Sequence, residues 1–281
     1  MSLVPEVVAS PAPSLTGSSC WACGEPVVAT VRLPGLPYVE CPRCGLLQRS
    51  APEARASEHY TRDDYAGTRA EEFIGAAEFE DRRRDARVRL AYVRARGAAG
   101  RLLDVGTAGG AFVLEAAHAG FDAAGIEPSP SFARYARDRL GLDVRPTTLE
   151  QAELPDGELD VMTLWHVLEH LADPVEPLRR AHRALRAGGT LAVEVPNAGS
   201  GMARAMGLDW PMLEPEVHLG QYCPAALGAL LERAGFRVTQ MSTVSTLAYL
   251  PWRARLTAGA LAHRAKWRGR QHELLRATAI A

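Results

Sequence analysis

The sequence has no apolar run approaching the about 20 residues that a membrane-spanning helix needs. Its hydrophobic stretches are strand-length and interrupted, so no membrane span is expected. It also lacks an excess of either charge: 32 Lys and Arg stand against 33 Asp and Glu, for a net charge of −1. Proteins that grip nucleic acid through its phosphates carry a strongly basic balance, which is missing here. Lysine itself is almost absent, and Lys266 is the only one. The stretch Met1 to Ser19 has no basic start followed by an apolar segment, so no secretory signal is expected and the cytoplasm is the expected location. Rich in Pro, Ser and Ala, residues 1–19 read as a disordered lead-in. Cysteine is sparse too, with five in the chain. In a reducing compartment, paired cysteines favour a metal over disulfides.

Four of those five are paired by spacing. Cys20-x-x-Cys23 and Cys41-x-x-Cys44 are separated by 17 residues. Each such turn aims two thiolates at one point, and two turns complete a tetrahedron around a borderline-soft dication. Gly24 and Gly45 follow the second cysteine of each pair, where a tight turn needs positive φ. With four sulfur ligands no position stays open for water, so a structural Zn2+ is expected. A segment this small could hardly fold without its metal. Cys223 is unpaired and reads as a small core or pocket residue.

Composition divides the chain into a ribbon over 20–50, a polar helical linker or lid over 51–96, a main domain over 97–250 and a basic helical tail over 251–281. In the linker, Phe73, Phe79, Val88 and Leu90 are scattered apolar anchors. From Gly100 onward strands and helices alternate. Strands are expected at Arg101 to Val105, Phe121 to Glu127, Asp143 to Arg145, Leu159 to Trp165, Thr190 to Val195 and Arg237 to Val244. Helices fall between them. The alternation predicts an α/β, doubly wound, mostly parallel sheet with helices on both faces. The tail, Trp252 to Ala277, carries Arg253, Arg255, Arg264, Lys266, Arg268 and Arg270 and reads as a solvated helix face or a dimer contact.

The first of these strands runs into Gly106-Thr107-Ala108-Gly109-Gly110 and then a helix. Glycines let backbone approach a ligand, and a helix N-terminus favours an anionic group. Glu127 ends the next strand, 23 residues after Asp104. An acid there suits ribose hydroxyls. An adenosine-containing cofactor is expected. Ala108 stands where a nicotinamide-binding turn would have its second glycine, and Asp104 would repel a pyrophosphate, so a cationic amino-acid cofactor fits better.

These segments resemble class I S-adenosylmethionine-dependent methyltransferases. Leu102 to Gly110 is similar to their first motif, and Leu164-Trp165-His166-Val167-Leu168-Glu169-His170-Leu171-Ala172-Asp173-Pro174 to the motif after their fourth strand. Leu185-Arg186-Ala187-Gly188-Gly189-Thr190-Leu191 resembles the turn before the fifth strand, and His218 through Phe236 a later block. The combination resembles a bacterial subgroup with a four-cysteine zinc ribbon in front, over residues 20 to 245. The resemblance implies a Rossmann-like sheet of seven strands. It places Asp104, Gly106 and Gly110 by the methionine part of S-adenosylmethionine, Glu127 on the ribose, and Thr148 and Leu149 by the adenine. Trp165 and His166 would line the methyl-transfer face, and Tyr60 and Tyr65 could close over the cofactor.

Methyl transfer from a sulfonium is an in-line displacement, aided by a base when the acceptor must lose a proton. His166 and His218 are the candidate catalytic residues, and His170 and Glu169 read as structural. The region Gly199 to Tyr222, with Trp210, Met212, His218 and Tyr222, is the expected acceptor pocket. A sugar, polyketide or other secondary metabolite would accept the methyl group on O, N or C. The alternatives are a ring-forming enzyme that uses the methyl group with a partner enzyme, a ribosomal RNA methyltransferase, and a binding module without activity.

Overall fold

The computed structural model describes residues 19–27, 29–33, 36–49, 74–246 and 272–281. Five parallel strands form the centre of its main sheet: β4 (Arg101–Val105), β5 (Asp122–Ile126), β6 (Asp143–Arg145), β7 (Leu159–Trp165) and β8 (Leu185–Pro196). Both faces of β4, β7 and β8 are covered, which is why they read as near-continuous apolar runs rather than alternating ones. The full order is β10-β11-β8-β7-β4-β5-β6, with β10 at Arg237–Val244 and β11 at Leu274–Ile280.

The chain leaves β4 for β5 and β6 on one side, then crosses back to β7 and β8 on the other. The crevice at such a switch point is where open α/β sheets bind ligands. Helix α1 (Ala76–Arg94) and helix α2 (Ala111–His118) share a core with Leu102, Val161 and Trp165 on one face. Helix α3 (Pro130–Leu140) follows β5. It starts where Phe132 N donates to Ser129 Oγ with Pro130 in the first turn, and it stops at Gly141, φ 67°. Helix α4 (Val175–Ala184) and helix α6 (Pro224–Arg233) cover the other face. Short helix α5 (Gly201–Met206) lies in the connection after β8. No helix among the described residues is long and apolar enough to cross a membrane.

The tail differs from its expectation. Leu274–Ile280 is a strand, antiparallel to both β8 and β10, and it supplies the seventh position of the sheet. Leu275, Ala277 and Ala279 enter the core on one face, while Arg276 is buried on the other against Glu194. A short strand whose one cation is neutralised internally leaves little alternation to read. The expected basic residues from Arg253 to Arg270 lie outside the described residues, as do Phe73, Tyr60 and Tyr65. Of the linker, the described part is α1, which buries Phe79 and Leu90.

The cysteine-bearing segment forms a second sheet of order β1-β2-β3-β9. Strands β1 (Ala29–Leu33), β2 (Leu36–Glu40) and β3 (Leu47–Arg49) come from that segment. Strand β9 (Gly220–Gln221) comes from the connection ahead of α6. The ribbon is therefore not a separate bead. Cys20, Val39 and Leu46 share one core with Leu178, Leu227 and Leu231.

Candidate active site and cysteine cluster

A cavity of about 1000 Å³ opens at the C-terminal ends of the central strands. Asp104, Gly106, Glu127, Thr148, Leu149, Trp165, His166 and His218 all line it. Gly110 does not; it is the N-cap of α2 at φ 86°, and a side chain there would meet Leu142 and Ala136 of the α3 region. Gly109 lines the cavity in its place. A Cβ on Gly106 would sit 2.8 Å from Val167 Cγ2, so only glycine lets these turns approach each other. Tyr65 lies outside the described residues.

The two acids expected at the cofactor are held by their own surroundings. Thr163 Oγ1 donates to Asp104 Oδ1 at 2.6 Å. Ala108 N donates to Glu127 Oε2 and Ser129 N to Oε1, both at 2.8 Å. Ala108 takes φ 48°, which lets the turn present its amide to Glu127. Burial pushes both carboxyls up to about 7, against the hydrogen bonds that favour their charged forms. A concave site with two buried carboxyls of this kind fits a ligand with an ammonium and a ribose diol. Trp165 Nε1, in the same cavity, is buried without a partner, a donor unused by the protein.

A histidine cluster also lines the cavity. His166 sits at φ 59°, a left-handed conformation uncommon outside glycine and typical of functional turns. Its Nδ1 lies 3.1 Å from Glu169 Oε1 and its Nε2 3.5 Å from Glu194 Oε1. Burial lowers its pKa, but the two carboxylates outweigh burial and lift it to about 9. Both ring nitrogens face acceptors, so His166 is an imidazolium at neutral pH. Beneath it, Glu194 is fully buried and also accepts from Arg89 and Arg276. Burial alone would raise its pKa; these cations hold it well below the usual carboxylate range. Arg276 lies over the Tyr92 and Trp165 rings. Nothing local in the sequence marks Arg89, Glu194 and Arg276 as partners.

His218 differs from His166. Its Nδ1 lies 3.0 Å from the Met212 carbonyl, which can only accept, so Nδ1 carries the proton and Nε2 is the basic nitrogen. His170 Nδ1 donates in the same way to the Val217 carbonyl at 3.1 Å. The two rings meet edge to face at 4.8 Å. Burial lowers both pKa values, keeping the imidazoles neutral. Glu169 is 1% exposed and its Oε2 has no partner. His170 and Glu169, expected to be structural, thus belong to the cavity wall as well.

The four cysteines come together. One sulfur from each lies within 4.8 Å of all the others. The closest pairs, Cys20 with Cys44 and Cys23 with Cys41, are at 3.5 and 3.4 Å, too long for disulfides. A zinc–sulfur tetrahedron has edges of about 3.8 Å, so this donor set fits the ion. The two turns are alike: Gly24 N donates to Cys20 O and Gly45 N to Cys41 O, with φ 79° and 74°. Cys223 is half-buried beside the second turn, and its thiol donates to Cys44 O at 3.1 Å.

A family model described as a methyltransferase domain matches residues 78–241. A ubiquinone biosynthesis O-methyltransferase of Xanthomonas axonopodis pv. citri is 33% identical over 183 residues, covering 60% of this chain and 75% of the relative. A probable S-adenosylmethionine-dependent methyltransferase of Mycolicibacterium smegmatis is 38% identical over 106 residues, 38% of each chain. Among solved structures, an Archaeoglobus fulgidus SAM-dependent methyltransferase aligns with TM-score 0.56 at 20% identity, covering 78% of this chain and all of that one. A Thermotoga maritima SAM-dependent methyltransferase, described as a possible histamine N-methyltransferase, gives 0.54 at 21%, covering 75% and 96%. At these identities the structures speak for the fold alone.

Proposed function

The chain belongs to the methyltransferase-domain family, and from that premise we propose that it methylates a hydroxyl oxygen of a small molecule, with His218 as general base and a structural zinc ion in the four-cysteine cluster. S-adenosylmethionine is the methyl donor of the family. The observation that carries the proposal is one cavity lined both by Asp104, Gly106 and Glu127 and by His218, whose Nδ1 faces the Met212 carbonyl.

When bound, S-adenosylmethionine supplies an electrophilic methyl group on a good leaving group. The chain's own residues then have two tasks, alignment and proton removal. Asp104 and Glu127 would hold the ammonium and ribose ends, and Thr148 and Leu149 would pack by the adenine. His218 Nε2 would take the hydroxyl proton of the acceptor. His166, pinned between two carboxylates, is a poorer base and is assigned to orienting the acceptor. A hydroxyl is favoured because a neutral imidazole is matched to it near neutral pH and because relatives named O-methyltransferases align over most of the domain. The net charge of −1 argues against an RNA acceptor.

The test is calorimetric titration with S-adenosylhomocysteine, followed by a screen of sugar, phenol and polyketide hydroxyls with methyl-labelled donor. Binding followed by label transfer to one acceptor class, lost in His218→Ala, is the expected result. Transfer that persists in His218→Ala would remove the base assignment, and transfer only to nucleic acid would remove the small-molecule one.

A further inference from the structure

The cysteine ribbon reaches directly beneath the acceptor wall. Tyr38, on β2, is fully buried among Leu47, Trp210 and Leu213, one of the small cores between ribbon and main domain. Its hydroxyl donates to the His218 carbonyl at 2.5 Å and lies 3.4 Å from the Pro215 carbonyl. The residues after His218 are held from the same side. Arg49 N donates to Leu219 O at 2.9 Å, and β3 pairs with Gly220 and Gln221. Gln221 Nε2 in turn donates to the Leu213 carbonyl at 2.6 Å, closing the loop that carries Met212. That matters because the Met212 carbonyl accepts the Nδ1 proton of His218. Further back, Gln48 on β3 accepts from Trp21 N at 2.8 Å and donates to Ser19 O at 3.0 Å, tying β3 to the first cysteine turn. A set of hydrogen bonds therefore runs from the cysteine turn through β3 to the Leu219 carbonyl, one residue after His218, and Tyr38 meets the His218 carbonyl itself.

We propose that Tyr38 is a positioning residue for methyl transfer: by donating to the His218 carbonyl from the ribbon, it holds the loop in which the imidazole must give Nδ1–H to Met212 and turn basic Nε2 to the cavity. The ribbon is then half of the acceptor site rather than an appended stabiliser. A buried tyrosine whose hydroxyl serves only its own domain would find a partner there. This one spends its proton on the backbone of the general base, 180 residues away in sequence. The inference rests on the reading of His218 as base but not on the identity of the acceptor. It predicts a division of labour in which the cofactor wall is indifferent to Tyr38, since none of the Asp104 and Glu127 contacts comes from the ribbon.

Nitrogen NMR of histidine-labelled, zinc-loaded full chain tests this. In the wild type, His218 is expected as a single tautomer protonated on Nδ1. Tyr38→Phe keeps the ring and removes the one hydroxyl. It should convert that signal to a tautomer average while zinc content and S-adenosylhomocysteine binding stay at wild-type values. An unchanged His218 tautomer in Tyr38→Phe overturns the proposal, and so does an equal loss of S-adenosylhomocysteine binding, which would mean general collapse. If Tyr38→Phe does not fold, amide hydrogen exchange on the unmodified chain decides. The Arg49 amide, which ties the ribbon to the Leu219 carbonyl, should exchange as slowly as those of Leu164 and Val193 in the central sheet; exchange at the rate of an open loop overturns the proposal. Failure of the methyltransferase reading itself would show separately, as a wild type that does not bind S-adenosylhomocysteine.

Discussion

The two sets of cavity residues that the proposal assigns to the cofactor and to the acceptor are built in opposite ways. The cofactor wall comes from one stretch, Asp104 through Leu149, in which each strand end delivers its residue to the same crevice. The acceptor wall is assembled from three distant pieces: His166 to His170 after β7, Met212 to His218 before β9, and the ribbon strands beneath them. A wall made locally survives damage elsewhere. A wall made from separate pieces depends on each of them, which makes it both more vulnerable and easier to vary.

That contrast has measurable consequences, the largest at the ribbon. Structural zinc contributes about 10–16 kcal/mol in small zinc domains, so a chelator or Cys41→Ala should unfold the ribbon. Acceptor turnover is then expected to vanish. Any cofactor affinity that survives belongs to the local wall, and loss of all secondary structure by circular dichroism would show that the two regions cannot be separated. Next in size, His218→Ala should lower kcat by roughly 10²–10⁴, as loss of a general base does. Steady-state kinetics with the acceptor found by screening would read this.

Glu194 supports His166 from below. Glu194→Ala removes the buried carboxylate shared by Arg89 and Arg276, and one of the two carboxylates beside His166. Breaking a buried charge pair costs about 3–5 kcal/mol, which urea unfolding would measure. The smallest effect is on pH. Burial puts the free Asp104 and Glu127 carboxyls at about 7, so both are mostly protonated at pH 6 and ionised at pH 8. A ligand bearing an ammonium needs the ionised forms. Affinity for S-adenosylhomocysteine should therefore rise between pH 6 and 8, by at most about tenfold per unit for each group, and level off above. Affinity that falls over this range would contradict the assignment of the acids.

The same contrast explains what could be read from the residues alone. Arg101–Val105, Leu159–Trp165 and Arg237–Val244 occupy the positions expected for them, because period, length and flanking turns are local properties. The glycine turn and Glu127 reach the cavity together for the same reason. Leu274–Ile280 was missed because the strand takes its meaning from β8 and β10, and Arg276 from Glu194, neither of which is nearby in sequence. Gly110 looked like a ligand contact and is a helix cap, since a glycine pattern does not say which amide faces the cavity. His166 and His218 are both candidate catalytic residues from the sequence. Only their partners, two carboxylates for one and a backbone carbonyl for the other, separate them.

The most direct test is a set of three titrations with S-adenosylhomocysteine, using the wild type, Glu127→Ala and His218→Ala. Separately built walls require that the wild type binds, that Glu127→Ala loses roughly tenfold or more, the scale of a charged hydrogen bond, and that His218→Ala binds as the wild type does. Equal loss in both variants, or none in Glu127→Ala, would contradict this division of the site.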